Sequence, residues 1–515
     1  MVDQPVAVLL TAKRGPEPGV AERGPELLPL DAGEQYRFSF DMNACVGCHS
    51  CEVACAEQND LPVDIAWRKV GELEGGSFPE VRRFNLSMAC NHCLEPTCLS
   101  GCPTNAYAKL DNGIVRHDAA ECIGCQYCIW NCPYEVPVYD KARRIVSKCD
   151  MCLPRLEAGE APACVKSCPT KAIGVEKVDV AVWRADHAAA DAPGLPPASI
   201  TLSTTRVVPP THVPAQTRAV TDSRVSPEDP HWPLIVLTLL TQLSLGTVAA
   251  TVATQLATSA GRDPLARGAV AALVAGAVAL AASLLHLGRP TKGLKALRNL
   301  RHSWLSREVA LFPVFSALSF GYAALRLAPG ASTGLAAAVG VAAVAVGAAG
   351  VYASGRIYLV PARPVWNSRR TLVSFFATAL AAGPLVAILA MGVDRLGQGW
   401  VVVLVVAAGT GVLVQLAVAN HLVRTVRTRD DHQHQGTAQL LSGQFQNLFW
   451  FRLATAVMGL ALLAWVPFGM GGPAAEGRLG VALALVAAGE LAGRYLFYVT
   501  VVPFSVAGSY REISG

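Results

Sequence analysis

All sixteen cysteines of this chain fall between Cys45 and Cys168, in four groups of four. The groups are Cys45, Cys48, Cys51 and Cys55; Cys90, Cys93, Cys98 and Cys102; Cys122, Cys125, Cys128 and Cys132; and Cys149, Cys152, Cys164 and Cys168. The first and third read C-x2-C-x2-C-x3-C, and the other two keep the leading C-x2-C and closing C-x3-C around a longer middle. This is the ligand spacing of a [4Fe–4S] cubane. Three thiolates on a tight loop reach three irons of one cluster, and the fourth reaches a second cluster. Four complete groups predict four cubanes, and so a path for single electrons.

Other thiol chemistry fits less well. Structural zinc takes one C-x2-C knuckle plus a distant second, not four thiols within about a dozen residues. Disulfides need an oxidising compartment, and residues 1–35 show neither an apolar signal core nor twin arginines. The 52% hydrophobic content averages two unlike halves. Residues 1–230 are polar, Pro-rich and hold every Cys, whereas 231–515 are mostly Ala, Val, Leu and Gly. The net charge of +5 says little alone, and no basic patch interleaved with aromatics marks a nucleic-acid partner.

The elements that must position the cysteines are short. YRFSFDMNAC (from Tyr36), IVRHDAAEC (Ile114 to Cys122) and RRIVSKC (Arg143 to Cys149) alternate like strands running into cysteine loops. KLDNGIV, between the second and third groups, carries the Asn-Gly signal of a hairpin. Strand, cysteine loop, Cys-Pro and short helix resemble the bacterial ferredoxin unit. Repeated about four times, the unit makes two fused two-cluster ferredoxins, the middle groups forming one and the outer groups enclosing it. That resemblance implies cross-pairing: Cys45, Cys48, Cys51 with Cys168; Cys149, Cys152, Cys164 with Cys55; Cys90, Cys93, Cys98 with Cys132; and Cys122, Cys125, Cys128 with Cys102.

CxxCxxCxxxC, CNHCxxPxCxxxCP, CxGCxxCxxxCP and KCDMC…CxxxCP, in this order over about residues 36–180, resemble the four-cluster electron-transfer subunit of the DMSO reductase family of molybdenum or tungsten enzymes. Some relatives replace one third-group cysteine by Trp and hold a [3Fe–4S] cluster. Here all four positions are Cys, with Trp130 between the last two, so four cubanes are expected. Lys141, Arg143, Arg144 and Lys148 crowd the fourth group. They either raise a cluster potential or are solvated or meet an acidic partner surface.

Residues 181–230 are rich in Ala, Pro, Thr and Val. At roughly 3.3 Å per extended residue they reach well over about 100 Å, more than a tether needs, so the segment is expected to wrap the ferredoxin domain or a partner. From Trp232 eight apolar segments near membrane-spanning length follow: 233–257, 268–287, 308–327, 333–353, 371–392, 400–420, 447–468 and 478–500. The expected plan is an N-terminal arm (1–35), an α+β double ferredoxin domain (36–180), a linker (181–230) and an all-α anchor of eight transmembrane helices (231–515). Loops on the ferredoxin side carry thirteen Lys or Arg, among them Arg289, Lys292, Lys295, Arg298, Arg363 and Arg370, against five opposite (Arg262, Arg267, Arg326, Arg395, Arg478). The positive-inside rule then puts the clusters in the cytoplasm.

Ionisable groups in or near the apolar spans are few, and such groups are functional candidates in lipid: His286, Glu308, Arg452, Glu490 and Arg494. HLGRPTKGLKALRNLRHSWLSRE places His286 and Glu308 at same-side ends of neighbouring helices, where a quinol could give one hydroxyl to His286 and its second proton toward Glu308. The segment is similar to the DMSO reductase membrane anchor, whose HLGxP and downstream SxE carry the quinol site; PVWNSRR and GELAGRYLFY fit that family too. The resemblance brings Gly288, Lys292, Arg298, Glu490 and Arg494 in as further quinone-binding candidates. Lys292 stands where relatives often have Arg, keeping the charge and losing the planar fork. The plain alternatives are a helix-end His286 bonded to a carbonyl and a Glu490–Arg494 pair that neutralises itself. No helix pair offers two opposed histidines, so no haem is expected.

The expected protein is thus a natural fusion of the iron–sulfur subunit and quinol-oxidising anchor of a molybdopterin oxidoreductase. Electrons pass from menaquinol or ubiquinol to a separate molybdopterin-containing catalytic subunit. Reverse flow from a dehydrogenase such as formate dehydrogenase, a proton-translocating module and a purely structural anchor are the competing functions.

Overall fold

The computed structural model describes residues 30–214, 217–220, 225–465, 473–504 and 506. Most of the expected N-terminal arm, the end of the seventh expected span (466–468) and residues 507–515 with Arg511 lie outside the described residues.

The N-terminal half is a small α+β ferredoxin-like domain. Its strands are β1 (Glu34–Asp41), β2 (Lys69–Gly75), β3 (Arg82–Met88), β4 (Tyr107–Lys109), β5 (Val115–His117), β6 (Val138–Asp140), β7 (Ile145–Ser147), β8 (Ile173–Asp179), β9 (Arg206–Val208) and β10 (Arg218–Ala219). Its helices are α1 (Ser50–Gln58), α2 (Thr97–Gly101), α3 (Tyr127–Asn131), α4 (Leu153–Glu157), α5 (Ala163–Lys166) and α6 (Val180–Asp186). In β1, Phe38 and Phe40 alternate inward as a half-buried strand requires and join Met42, Leu73 and Leu86 in the core. β1 pairs antiparallel with β8, Phe38 opposite Val175, which draws the first and fourth cysteine groups together. The Asn-Gly hairpin forms as β4–β5, and β6–β7 forms a second between the third and fourth groups.

The Pro-rich stretch after α6 is strapped onto this domain. β9 adds to β1 in parallel, and β10 adds to the edge of β2. Thr201 donates to the Cys93 sulfur at 3.1 Å, and Thr204 to the carbonyl of Asn91 at 2.5 Å. These strands are only two or three residues long and borrow their partners from existing edges, so no hydrophobic period announces them.

Among the described residues, eight helices long and apolar enough to cross a membrane follow. They are α7 (Trp232–Ala257), α8 (Arg262–Leu285), α9 (Trp304–Leu327), α10 (Thr333–Ile357), α11 (Arg369–Met391), α12 (Gln398–Thr428), then, after a short α13 (His432–Ser442), α14 (Gln446–Trp465) and α15 (Pro473–Val499). α7 is the central post, packed on α8, α10, α11 and α15, with 72% of its most apolar window buried, against 17% for α14 at the rim. Besides a 3-10 turn at Val393–Arg395, two longer pieces fall between the spans expected from sequence. One is α13, polar and N-capped by Asp431; the other is a 3-10 segment, Pro290–Asn299, that carries the basic loop after α8.

Candidate functional site

The four cysteine loops share a backbone device. The residue before the second cysteine of each group is left-handed: Gly47 (φ 66°), His92 (45°), Gly124 (69°) and Met151 (62°). Such a curl turns amide N–H groups toward the sulfur atoms. Gly124 and Met151 donate to Cys122 and Cys149 at 3.4 and 3.3 Å, and Ala106 donates to Cys102 at 3.4 Å.

All sixteen cysteines are free thiols. Cys90, Cys93, Cys98 and Cys132 line one cavity. Cys168 is an electrostatic neighbour of Cys45, Cys164 and Cys152 of Cys55, and Cys102 of Cys122, Cys125 and Cys128. These sets follow one another in line. Cys55 neighbours Cys51, Cys149 neighbours Cys90, and the buried Tyr107 lies within reach of both Cys98 and Cys128.

Two buried cations sit between the sets. Burial would weaken Arg68, but Cys164, Cys51, Cys149 and Cys55 outweigh it and raise its pKa. Lys148, 3% exposed, is likewise held above its usual value against burial by Cys90, Cys98 and Cys149, and its ammonium donates to the carbonyls of Val115 and Cys149. Of the four basic residues crowding the fourth group only Lys148 is buried; Lys141, Arg143 and Arg144 are exposed.

The donor set fits iron–sulfur chemistry. Among the described residues no three thiol, carboxylate or imidazole groups close on a single-ion position. A cubane spreads its four ligands over four irons, and each of the four loops supplies four thiols. Burial pushes the Cys125 thiol up to about 12, so bare thiolates would be costly there without cationic metal.

The third loop does not stop at the domain surface. Tyr127 and Trp130 of α3 belong to the same hydrophobic core as Ile235, Phe312, Tyr358, Trp366 and Tyr498 of the helical half. The Trp130 ring centroid lies 5.2 Å from His231, 5.3 Å from Trp366, 5.9 Å from Tyr358 and 6.4 Å from Tyr498. Arg363, 1% exposed, donates to the Trp130 carbonyl (3.2 Å) and pairs with Glu228 (3.0 Å). The tyrosine hydroxyls of 358 and 498 meet at 2.5 Å.

His286 caps α8 and donates Nε2–H to the Cys125 carbonyl at 3.1 Å, which leaves Nδ1 as the acceptor of a neutral ring; its ring lies 5.7 Å from His231. Gly288 is a contact point. A Cβ there would lie 2.4 Å from the Arg144 carbonyl oxygen, and one on Gly124 2.5 Å from the same atom. The basic 3-10 segment grips the loop before the third group. Arg289 donates to Ala119 (2.8 Å), Lys292 to Ala120 (2.9 Å), and Lys295 (2.8 Å) and Arg298 pair with Glu121. Ser303 does two jobs: its hydroxyl caps α9 and donates to the Gly101 carbonyl at 2.7 Å, a cap being worth about 1 kcal/mol.

Glu308, 6% exposed in the second turn of α9, lies within electrostatic reach of Tyr127, Tyr358 and Tyr498. His286, Gly288, Lys292, Arg298 and Glu308 therefore gather at one interface. Glu490 and Arg494 belong to a second set of contacts, and Arg494 also lies within electrostatic reach of Tyr358 and Tyr498. The Glu490 carboxylate accepts from Thr378 (2.5 Å) and Gln415 (2.9 Å), while Arg494 donates to Gln242 (2.8 Å) over the Phe375 ring (4.1 Å). Sequence reasoning missed the parts played by Arg68, His231, Arg363, Tyr358 and Tyr498. Only PVWNSRR and GRYLFY hinted at part of that aromatic set.

Comparison with known proteins agrees with both halves. Residues 81–178 match a 4Fe-4S dicluster domain, and residues 228–499 match the DMSO reductase anchor subunit (DmsC). A component of the anaerobic dimethyl sulfoxide reductase of Haemophilus influenzae is 37% identical over 177 residues, 33% of this chain and 86% of that one. Its Escherichia coli counterpart is 39% identical over 153 residues, 28% of this chain and 75% of that one. A sulfite dehydrogenase component of Allochromatium vinosum is 35% identical over 160 residues, 27% of this chain and 67% of that one. The matches to both halves identify a fusion: the protein is a member of the DMSO reductase anchor subunit family, joined to an iron–sulfur electron-transfer domain similar to these dimethyl sulfoxide reductase components.

Proposed function

We propose that this protein oxidises membrane quinol at the interface of its two halves and passes the electrons through four [4Fe–4S] clusters to a separate molybdopterin-containing catalytic subunit. Residues 36–180 carry the clusters, 231–515 the anchor, and 181–230 the strap between them. The observation that carries this reading is the third cysteine loop, seated in the helical core with its Cys125 carbonyl bonded to His286. The cross-pairing of cysteines draws support from the four neighbour sets and their order in line.

When bound, the clusters supply one-electron steps that match a two-electron quinol to the catalytic metal. The chain's own groups handle the protons. His286 Nδ1 accepts from one quinol hydroxyl while its Nε2–H stays on Cys125, and Glu308 takes the second proton. The quinol thereby loses two protons and two electrons. Lys292, Arg298 and Gly288 hold the two halves in register. At the far end Cys48 is exposed between Val46 and Val53, an apolar rim suited to the catalytic subunit. Electron flow in reverse, from a dehydrogenase to quinone, uses the same parts.

His286→Ala or Glu308→Gln is expected to slow quinol-driven turnover about 100-fold, with activity from an artificial donor to the catalytic subunit retained. Iron analysis is expected to find about sixteen irons, with no stoichiometric [3Fe–4S] signal by EPR of the oxidised protein. Equal loss with both donors means misassembly, and no loss moves the quinol elsewhere.

The basic loops support a cytoplasmic cluster domain. Protease added to intact spheroplasts is then expected to spare the 181–230 segment, and inverted vesicles to expose it. Cleavage in spheroplasts overturns that orientation.

A further inference from the structure

A second cluster of intramembrane charge, which lines a cleft that includes neither His286 nor Glu308, sits between α11, α12, α14 and α15. The cleft encloses a cavity volume of about 80 Å³ and opens outward. Arg370, Arg452, Arg494 and Glu490 face it, three guanidinium groups against one carboxylate. Arg494 is 4% exposed, and its Nε has no hydrogen-bond partner; Nη1 of Arg370 is also buried without one. Buried cationic donors left without acceptors are costly, and in lipid they mark a functional site. The cleft therefore suits an occupant that supplies oxygen acceptors.

The rest of the wall says what kind. Trp366 and Phe497 line it with rings stacked at 5.0 Å and 13°, offering flat apolar surface. Val418, Leu422 and Phe449 stand at the half-buried mouth between α12 and α14, and α14 is the least buried span. An occupant can thus enter from the bilayer and leave a long apolar tail there. A phosphate head group would satisfy the arginines but would meet the Glu490 carboxylate and the aromatic faces. A planar ring with two carbonyls, reducible to hydroxyls, matches all three. Its oxygens accept from guanidinium as quinone, and its hydroxyl donates to Glu490 as quinol.

Trp366 is also the link to the clusters. Its ring lies 5.3 Å from Trp130, which stands between Cys128 and Cys132. His286 reaches the same Trp130 from another direction through His231. We infer that this cleft is a second quinone head-group site, distinct from the one at His286 and Glu308, with Glu490, Arg494 and Arg452 as its polar contacts. The inference rests on the reading of this chain as a quinone-reactive electron carrier.

The test uses the intact complex with its catalytic subunit in lipid nanodiscs, a photoreactive azido-naphthoquinone, and mapping of the labelled peptides. Label is expected in two places, near 286–308 and in the α14–α15 segments that carry Arg452 and Glu490. Glu490→Gln is expected to cut the second labelling about tenfold, the loss of one hydrogen bond to a charged group, and to leave the first. His286→Ala is expected to do the reverse. If Glu490→Gln lowers iron content, Val418→Trp closes the mouth without touching the charges and serves in its place. Label confined to 286–308, or bound phospholipid at the cleft with no label there, overturns this inference and leaves the His286 site standing. Label only at the cleft keeps it and removes the His286 site. No label anywhere overturns both.

Discussion

The first and third cysteine groups share one spacing and end in opposite surroundings. In the first, Cys48 is exposed and its neighbours Val46 and Val53 are each 64% exposed. Hydrogen bonds from Ser50 hold the Cys48 thiol below its usual range. In the third, Cys122 and Cys128 are buried, Cys125 is pushed up to about 12 by burial, and Tyr127 and Trp130 fill the helical core. The cysteines are placed alike. The residues between them differ: V-G, H-S and E-V-A in one, I-G, Q-Y and I-W-N in the other. Spacing selects the cofactor, and the intervening side chains select which neighbour each end of the line meets. One end is left exposed, and the other is already covered by the membrane helices.

The most damaging way to break this contrast is to remove a ligand candidate at either end. Cys128→Ser is expected to abolish reduction of the remaining clusters by quinol, because the membrane-facing step is lost. Cys48→Ser is expected to leave that reduction intact and stop turnover of the catalytic subunit. Rapid-mixing EPR with quinol, alongside substrate turnover, separates the two; identical phenotypes would show that the ends are equivalent.

A milder change acts on the covering itself. Gly288→Leu puts a side chain where the Arg144 carbonyl oxygen lies 2.4 Å from a Cβ, so the cysteine loop must lift away from His286. Quinol-driven turnover is expected to fall about 100-fold, the effect of a displacement near 1 Å, with iron content unchanged. Wild-type turnover would mean that the contact at Gly288 does not set the electron-transfer distance.

The smallest effect tunes the line without breaking it. Lys148→Met removes a buried cation facing Cys90, Cys98 and Cys149. Losing a positive charge favours the oxidised, less negative cluster, so a midpoint potential is expected to fall. The shift is about 60 mV if roughly 1.4 kcal/mol of one-electron interaction is lost. Redox titration followed by EPR checks the sign, and a rise would refute it.

The cysteine groups, the Asn-Gly hairpin and the eight apolar spans were legible because each repeats a local period or spacing that few other structures share. His286 and Glu308 were legible as costly groups near lipid. The Pro-rich strap was less so, since β9 and β10 take their hydrogen bonds from strands far away in the chain. Lys292 and Arg298 stood out as charges beside the HLGRP segment, yet their donors go to Ala120 and Glu121 of the other half. Nothing local in either segment records that pairing.

Sequence by itself determined the cofactor class, the two-part architecture and the membrane spans, because metal ligation, hydrophobic length and turn chemistry are properties of neighbours along the chain. Only the tertiary structure decided which cysteine loop enters the helical core, and that Arg68 and Lys148 are buried among thiols while Arg143 remains outside. It also decided that Arg452, Glu490 and Arg494 face a cleft whose wall reaches Trp130 through Trp366. Burial and contact between residues hundreds of positions apart arise from how the two halves pack, and packing energy is shared across surfaces that no single segment encodes.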